Sequence, residues 1–203
     1  MRLAASKLIA PSALAMMLVA GAACSQNPAS PPASDAPAAP STEAVARATP
    51  GQTAQVAIIN GQGAETGKAT LTQGATGLLI KVEATGLTPG WHGIHIHATG
   101  QCEAPFTSAG AHINHGDPKQ PHGLLNADGP DDGDLPNVFA DAKGAVNAEV
   151  FTTRARLADA GPGQWLLDDD GSALVIHANA DDHSSQPIGG AGDRVACAVI
   201  KAQ

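Results

Sequence analysis

The sequence predicts an all-β domain: eight short strands closed into a barrel or sandwich, one long irregular loop and no substantial helix. Three observations carry this expectation. Apolar or alternating runs of five to eight residues recur through residues 51–203. Gly, Thr and Pro turn signals separate them, and no segment holds a helical period of useful length. Many short strands so spaced close into barrels or sandwiches.

The runs are residues 55–60 (QVAIIN), 68–72, 77–83 (GLLIKVE), 93–97, 135–140, 145–151, 173–177 and 194–201. Between the fifth and sixth, DAKG at 141–144 has the composition of a hairpin turn. Residues 98–133 break the rhythm. Irregular loops of that length are usually functional, and this one carries most of the candidate ligands.

All eight histidines lie beyond residue 90. Within GWHGIHIH, His95 and His97 are two apart, so in a strand both imidazoles leave one face while Ile94 and Ile96 enter the core. Downstream follow His112, His115 and His122, the acidic run Asp131, Asp132 and Asp134, and then His177. Imidazole suits copper and zinc, and imidazole joined to carboxylate suits zinc. Scattered solvated histidines are the plainer alternative, and the placement of His95 and His97 on one face speaks against it.

Residues 1–24 read as an export signal, with Arg2 and Lys7, an apolar stretch and then small residues. The apolar stretch is too short for a convincing membrane span. Cys24 follows Gly21-Ala22-Ala23, similar to a bacterial lipoprotein cleavage site, so lipid attachment at Cys24 is expected. Ordinary cleavage near Ala22 or Ala23 is the alternative. Residues 25–50 are mostly Ala, Pro, Ser and Thr, which cannot bury enough surface to offset ordering; they form an extended tether. Residues 51–203 remain as one domain with a real core.

An exported chain folds where disulfides persist. With Cys24 set aside, Cys102 and Cys197 have one possible pairing. Closing that separation contributes on the order of 4 kcal/mol in the loop-entropy account. The net charge of −8 argues against nucleic acid and against an anionic membrane surface. With no Tyr, three Phe and two Trp, the chain offers no platform for stacking bases.

The ordered set GWHGIHIH (90–97), GQC (100–102), SAGAHIN (108–114), GDLPNV (133–138), ALVIHANADD (173–182) and GGAGDRVACAVI (189–200) resembles copper/zinc superoxide dismutase in its bacterial periplasmic form. That family is itself a standard example of sandwich architecture, and the resemblance implies a Greek-key β-barrel. It implies copper at His95, His97, His112 and His177, with His112 bridging to zinc. Zinc is implied at His112, His122 and Asp134. Asp181 matches the carboxylate that links ligand histidines of the two metals. Arg194 matches the arginine that attracts superoxide, and Cys102 and Cys197 match the family disulfide. His92 falls on the opposite strand face and is structural.

One zinc ligand departs from the family pattern. Asp131 stands where the family has a third zinc histidine, and the spacing from His112 to His122 is longer than usual, which places His115 in the insertion. Asp131 as a direct ligand is the favoured reading; His115 as a replacement and a weak or empty zinc site stay open. His115 is otherwise a solvated loop residue and His183 a surface histidine. Ser184, Ser185 and Gln186 are uncharged, so guidance of an anion falls chiefly on Arg194.

The implied activity is dismutation of superoxide to dioxygen and hydrogen peroxide, with copper passing the electron and the His112 imidazole exchanging a proton. The alternative is a copper carrier on the same scaffold, which has no need of Arg194. The expected location is the periplasm of a Gram-negative bacterium, with membrane contact only through a lipid on Cys24. The protein is expected as a monomer or homodimer.

Overall fold

The structure, a computed structural model, describes residues 50–202. The export signal, Cys24 and nearly all of the tether therefore lie outside the described residues. Among the described residues the chain forms eleven strands and a single short 3-10 turn at Thr107–Ala109. The strands are β1 (Thr53–Asn60), β2 (Glu65–Gln73), β3 (Leu78–Ala84), β4 (Gly90–His92), β5 (Ile94–His97), β6 (Val138–Ala140), β7 (Val146–Thr152), β8 (Ala155–Arg156), β9 (Gln164–Trp165), β10 (Ser172–His177) and β11 (Arg194–Ile200).

Each of the eight expected runs falls on a strand. The three further pieces are short. Gly93 divides β4 from β5, and β8 and β9 form a two-residue parallel pair with too few residues for alternation to show.

Seven strands form one sheet in the order β5-β10-β11-β1-β2-β3-β7, antiparallel throughout. The last two of these strands in sequence, β10 and β11, lie between β5 and β1, which is the Greek-key return. β4 pairs with β6 as a separate ribbon. Because β4 runs on into β5 and β6 into β7, this ribbon stands between the two edges of the curled sheet. The expected turn at 141–144 joins β6 to β7, with Asp141 N–H donating to Ala145 O at 2.9 Å.

Alternation fills the interior. Leu78, Ile80, Val82 and Ala84 of β3 point inward with Ile58, Leu71, Val150, Ile94, Ile96, Leu174 and Ile176. β5 and β10 are buried on both faces, unlike a half-exposed strand. The long loop covers their outer face. Phe106 and Ala109 pack there on Ala173, Val175 and Cys197. The metal-type side chains occupy the rest of that roofed surface.

Candidate metal centre

The free edge of β5 is completed by the long loop. Ile96 N–H donates to Gly133 O at 2.9 Å, Ile113 N–H to Ile96 O at 3.0 Å, and Ala98 N–H to Ala111 O at 2.9 Å. This docking sets His112 opposite His97 and Asp134 opposite His95. Gly133 is required there, because a Cβ would overlap the Ile96 carbonyl. On the other side of β5, Val175 pairs with His95 and Ala173 with His97, so His177 continues the same face of β10. A bulge between Ile176 and His177 then brings Arg194 directly opposite His177.

His95, His97, His112 and His177 converge, with their donor atoms all within 4.8 Å of one another. Three of these rings are anchored through one nitrogen. His97 Nδ1–H donates to Gly110 O at 2.9 Å, His177 Nδ1–H to Gly192 O at 3.0 Å, and His95 Nε2–H to Asp181 Oδ2 at 2.9 Å. Their other nitrogens, with His112 Nε2, are buried and have no hydrogen-bond partner. Buried polar atoms ordinarily find partners. Four unpartnered lone pairs aimed at one point are the donor set of a cation, and four imidazoles suit copper.

Burial also keeps three of these rings, His95, His97 and His177, neutral and ready to donate. It lowers His95 to about 4 despite the Asp181 hydrogen bond, His97 to about 2 with help from the neighbouring His112, and His177 to about 4.

His112, His122, Asp131 and Asp134 form a second buried group sharing His112 with the first. Each carboxylate spends one oxygen on backbone. Asp134 Oδ2 accepts from Gly123 N–H at 2.7 Å and Asp131 N–H at 3.0 Å; Asp131 Oδ1 accepts from Gly133 N–H at 3.0 Å. The remaining oxygens face the imidazoles. Asp131 Oδ2 lies 2.9 Å from His112 Nδ1, and Asp134 Oδ1 lies 3.5 Å from His112 Nδ1 and 2.5 Å from His122 Nδ1. Two imidazoles and two carboxylates fit tetrahedral zinc.

The same juxtaposition makes these rings basic. Burial opposes their charging, but the hydrogen bonds to Asp131 and Asp134 raise His112, and those to Asp134 and Asp181 raise His122 to about 10. Burial likewise opposes ionisation of Asp134 and Asp181. Hydrogen bonds from His112 and His122 hold Asp134 below the usual carboxylate range, and those from His122 and His95 do the same for Asp181.

His115 is exposed and engages through its backbone N–H, which donates to Asp132 Oδ2 at 3.1 Å. It does not join the group.

Asp181 links the two groups, since Oδ2 takes His95 Nε2–H and Oδ1 takes His122 Nε2–H at 3.1 Å. Gly189, with φ 58°, lies against it; a Cβ there would overlap Asp181 Oδ1. His92 is buried apart from both groups, its ring nitrogens each 2.7 Å from the carbonyls of His177 and Thr88.

A cleft of about 350 Å³ opens over His97, His112, His122 and Asp131, and Arg194 lies in its wall. The guanidinium is held by the carbonyls of Phe106 and Gly110, each 2.6 Å away. Burial lowers its pKa. Both carbonyls belong to the loop that the Cys102–Cys197 disulfide ties to β11, with Cα atoms 5.7 Å apart.

Sequence reasoning missed three parts of this site. The exposed Lys119, between His112 and His122, lines the same cleft as Arg194. Asn137 is bonded to the Asp181 backbone through both ends of its amide. His183, expected at the surface, is half-buried with its ring Nδ1 3.4 Å from Asp181 Oδ2. Only the His183 imidazole carried a visible signal, and its partners are set by the turn after Asp181.

Comparison with known proteins gives one answer. Residues 65–200 match the family model for copper/zinc superoxide dismutase. The chain is 54% identical over 142 residues to "Superoxide dismutase [Cu-Zn]" of Caulobacter vibrioides, covering 70% of this chain and 81% of that one. It is 44% identical over 146 residues to "Superoxide dismutase [Cu-Zn] 1" of Aquifex aeolicus, covering 71% and 85%. Among solved structures, Cu/Zn superoxide dismutase from Brucella abortus superposes with a TM-score of 0.57 at 30% identity, covering 73% and 99%. A SOD-like protein from Bacillus subtilis superposes with a TM-score of 0.65 at 32% identity, covering 72% and 97%. A match across most of the domain, on a chain whose fold already gathers the histidines into two linked groups, leaves one family: this chain belongs to the copper/zinc superoxide dismutases.

Proposed function

We infer that the protein dismutates superoxide to dioxygen and hydrogen peroxide, with copper at His95, His97, His112 and His177 and zinc at His112, His122, Asp131 and Asp134. The observation that carries this is the convergence of four buried, unpartnered imidazole nitrogens beside a clamped arginine. Copper, when bound, supplies the one-electron exchange with superoxide.

The chain's own residues supply the rest. Gly110 O, Gly192 O and Asp181 Oδ2 hold the tautomers of His97, His177 and His95, so each presents a lone pair. Arg194 binds and orients the small anion, its direction fixed by two carbonyls. His112 takes up and returns a proton at Nε2, the nitrogen that faces the other three imidazoles and has no hydrogen-bond partner. Asp131 is the third zinc-side ligand beyond the bridge; its burial and the oxygen it turns toward His112 Nδ1 support it over His115.

The chain acts after export to the periplasm, tethered through lipid on Cys24, as the composition of residues 1–50 and the disulfide support.

Superoxide decay catalysed by the copper-loaded protein, with and without added zinc, tests the reading. Rapid decay is expected, and faster decay with zinc. Absence of decay with copper bound would make the protein a carrier.

A further inference from the structure

His183 stands in neither metal group, yet its ring is turned toward the residue that joins them. Its backbone is left-handed, φ 62°, a conformation uncommon outside glycine. Asn137 fixes what the ring can do. Asn137 Oδ1 accepts the Asp181 N–H at 2.9 Å, so the other end of that amide is the donor. Asn137 Nδ2 donates to Asp181 O at 2.8 Å and faces His183 Nε2 at 3.2 Å. A ring nitrogen that accepts from an amide carries no proton, so the His183 proton sits on Nδ1. That nitrogen is buried without a hydrogen-bond partner, and Asp181 Oδ2 stands 3.4 Å from it, a charge–dipole contact rather than a hydrogen bond. The same oxygen accepts from His95 at 2.9 Å. The backbone N–H of His183 donates to the other oxygen, Oδ1, at 2.6 Å, beside His122 Nε2–H.

We propose that His183 is a positioning residue that sets its backbone N–H in a hydrogen bond to one oxygen of Asp181 and its ring N–H dipole beside the other, and so moderates the pull of that carboxylate on His95 and His122. The inference rests on the copper and zinc reading above. A carboxylate that loses the neighbouring ring N–H dipole pulls harder on the His95 proton, and His95 then becomes the stronger ligand. Stronger donation favours the more highly charged, oxidised copper. Loss of the His183 ring therefore moves the copper midpoint potential downward.

Two measurements test this on the intact protein. Long-range proton–nitrogen NMR of the zinc-loaded protein reads each ring's tautomer, and Nδ1–H is expected for His183. Potentiometry of the copper- and zinc-loaded protein should give a lower midpoint for His183→Ala. His183→Asn should restore it, since Asn tolerates positive φ and places an amide N–H near the former Nδ1. An Nε2–H tautomer in the unsubstituted protein overturns the proposal without any variant. So does a His183→Ala midpoint equal to that of the unsubstituted protein, or a His183→Asn no different from His183→Ala. Failure of the unsubstituted protein to take up one copper and one zinc would overturn the metal reading itself, a separate observation.

Discussion

His97 and Arg194 share one acceptor. The Gly110 carbonyl receives His97 Nδ1–H at 2.9 Å and an Arg194 Nη2–H at 2.6 Å. One backbone oxygen therefore holds both a ring of the copper group and the cation beside it. Gly110 adopts φ 77°, so the carbonyl's direction depends on a backbone that only glycine takes easily.

Replacing the arginine separates those two duties. Arg194→Lys keeps a charge but loses the two-pronged clamp on Phe106 O and Gly110 O. The expected result is a fall in kcat/KM on the order of tenfold, with copper content unchanged by metal analysis. Unchanged kinetics would remove Arg194 from anion capture.

Zinc titration against a competing chelator distinguishes the acidic ligand from the loop histidine. Asp131→Asn keeps the shape and removes the charge facing His112. Zinc should bind more weakly by at least about tenfold, the loss that even outer supporting groups cause. His115→Ala should leave zinc affinity unchanged. The reverse pattern would move the ligand to His115.

Acid should destabilise the metal-stripped protein in a defined window. Burial depresses His95 and His177 to about 4 and His97 to about 2, against 6.5 in the unfolded chain. The unfolded state binds more protons across that interval, so this stability is complete above about 6.5 and is lost as pH falls toward 4. His122, raised to about 10, behaves oppositely: its contribution is full below 6.5 and disappears as pH rises through 10. The depressed carboxylates of Asp134 and Asp181 lose theirs only below their ordinary value of 3.8. Thermal unfolding of the stripped protein should therefore show Tm dropping between pH 6.5 and 4. A flat Tm there would contradict the buried neutral rings.

The disulfide should matter to both stability and catalysis. Cys197→Ser removes a link across a separation of 95 residues, worth on the order of 4 kcal/mol in the loop-entropy account. It also frees the loop whose carbonyls hold Arg194. Denaturant unfolding should show the stability loss, and kcat/KM should fall even at temperatures where the variant remains folded.

Much of this molecule was legible because alternation is a strong signal. Every expected run became a strand, and Ile94, His95, Ile96 and His97 divided between core and outer face as a strand requires. Alternation failed at Arg194. Counting back by twos from the inward-facing Ala198 and Ala196 assigns Arg194 to the core, yet the bulge at His177 turns it outward with Cys197. Resemblance, not periodicity, placed it. The partners of Asp131, Asn137 and His183 were invisible for a different reason. They depend on where two irregular segments dock, and loop docking is decided by long-range backbone hydrogen bonds that leave no local pattern. His183 shows the cost: without the turn after Asp181, a polar histidine in SSQ-rich sequence reads as solvent-exposed.

With Asp131 in the zinc set, two carboxylates there cancel the charge of a divalent cation, where a single one would leave it net positive. An approaching anion then meets little attraction from the zinc half. In a chain of net charge −8, the inward field is left to the copper half and to the two cations of one cleft, Arg194 and Lys119. Such a protein captures its substrate through one narrow funnel, and raising the ionic strength should slow it less steeply than a site that draws from both halves, because fewer steering charges are there to be screened.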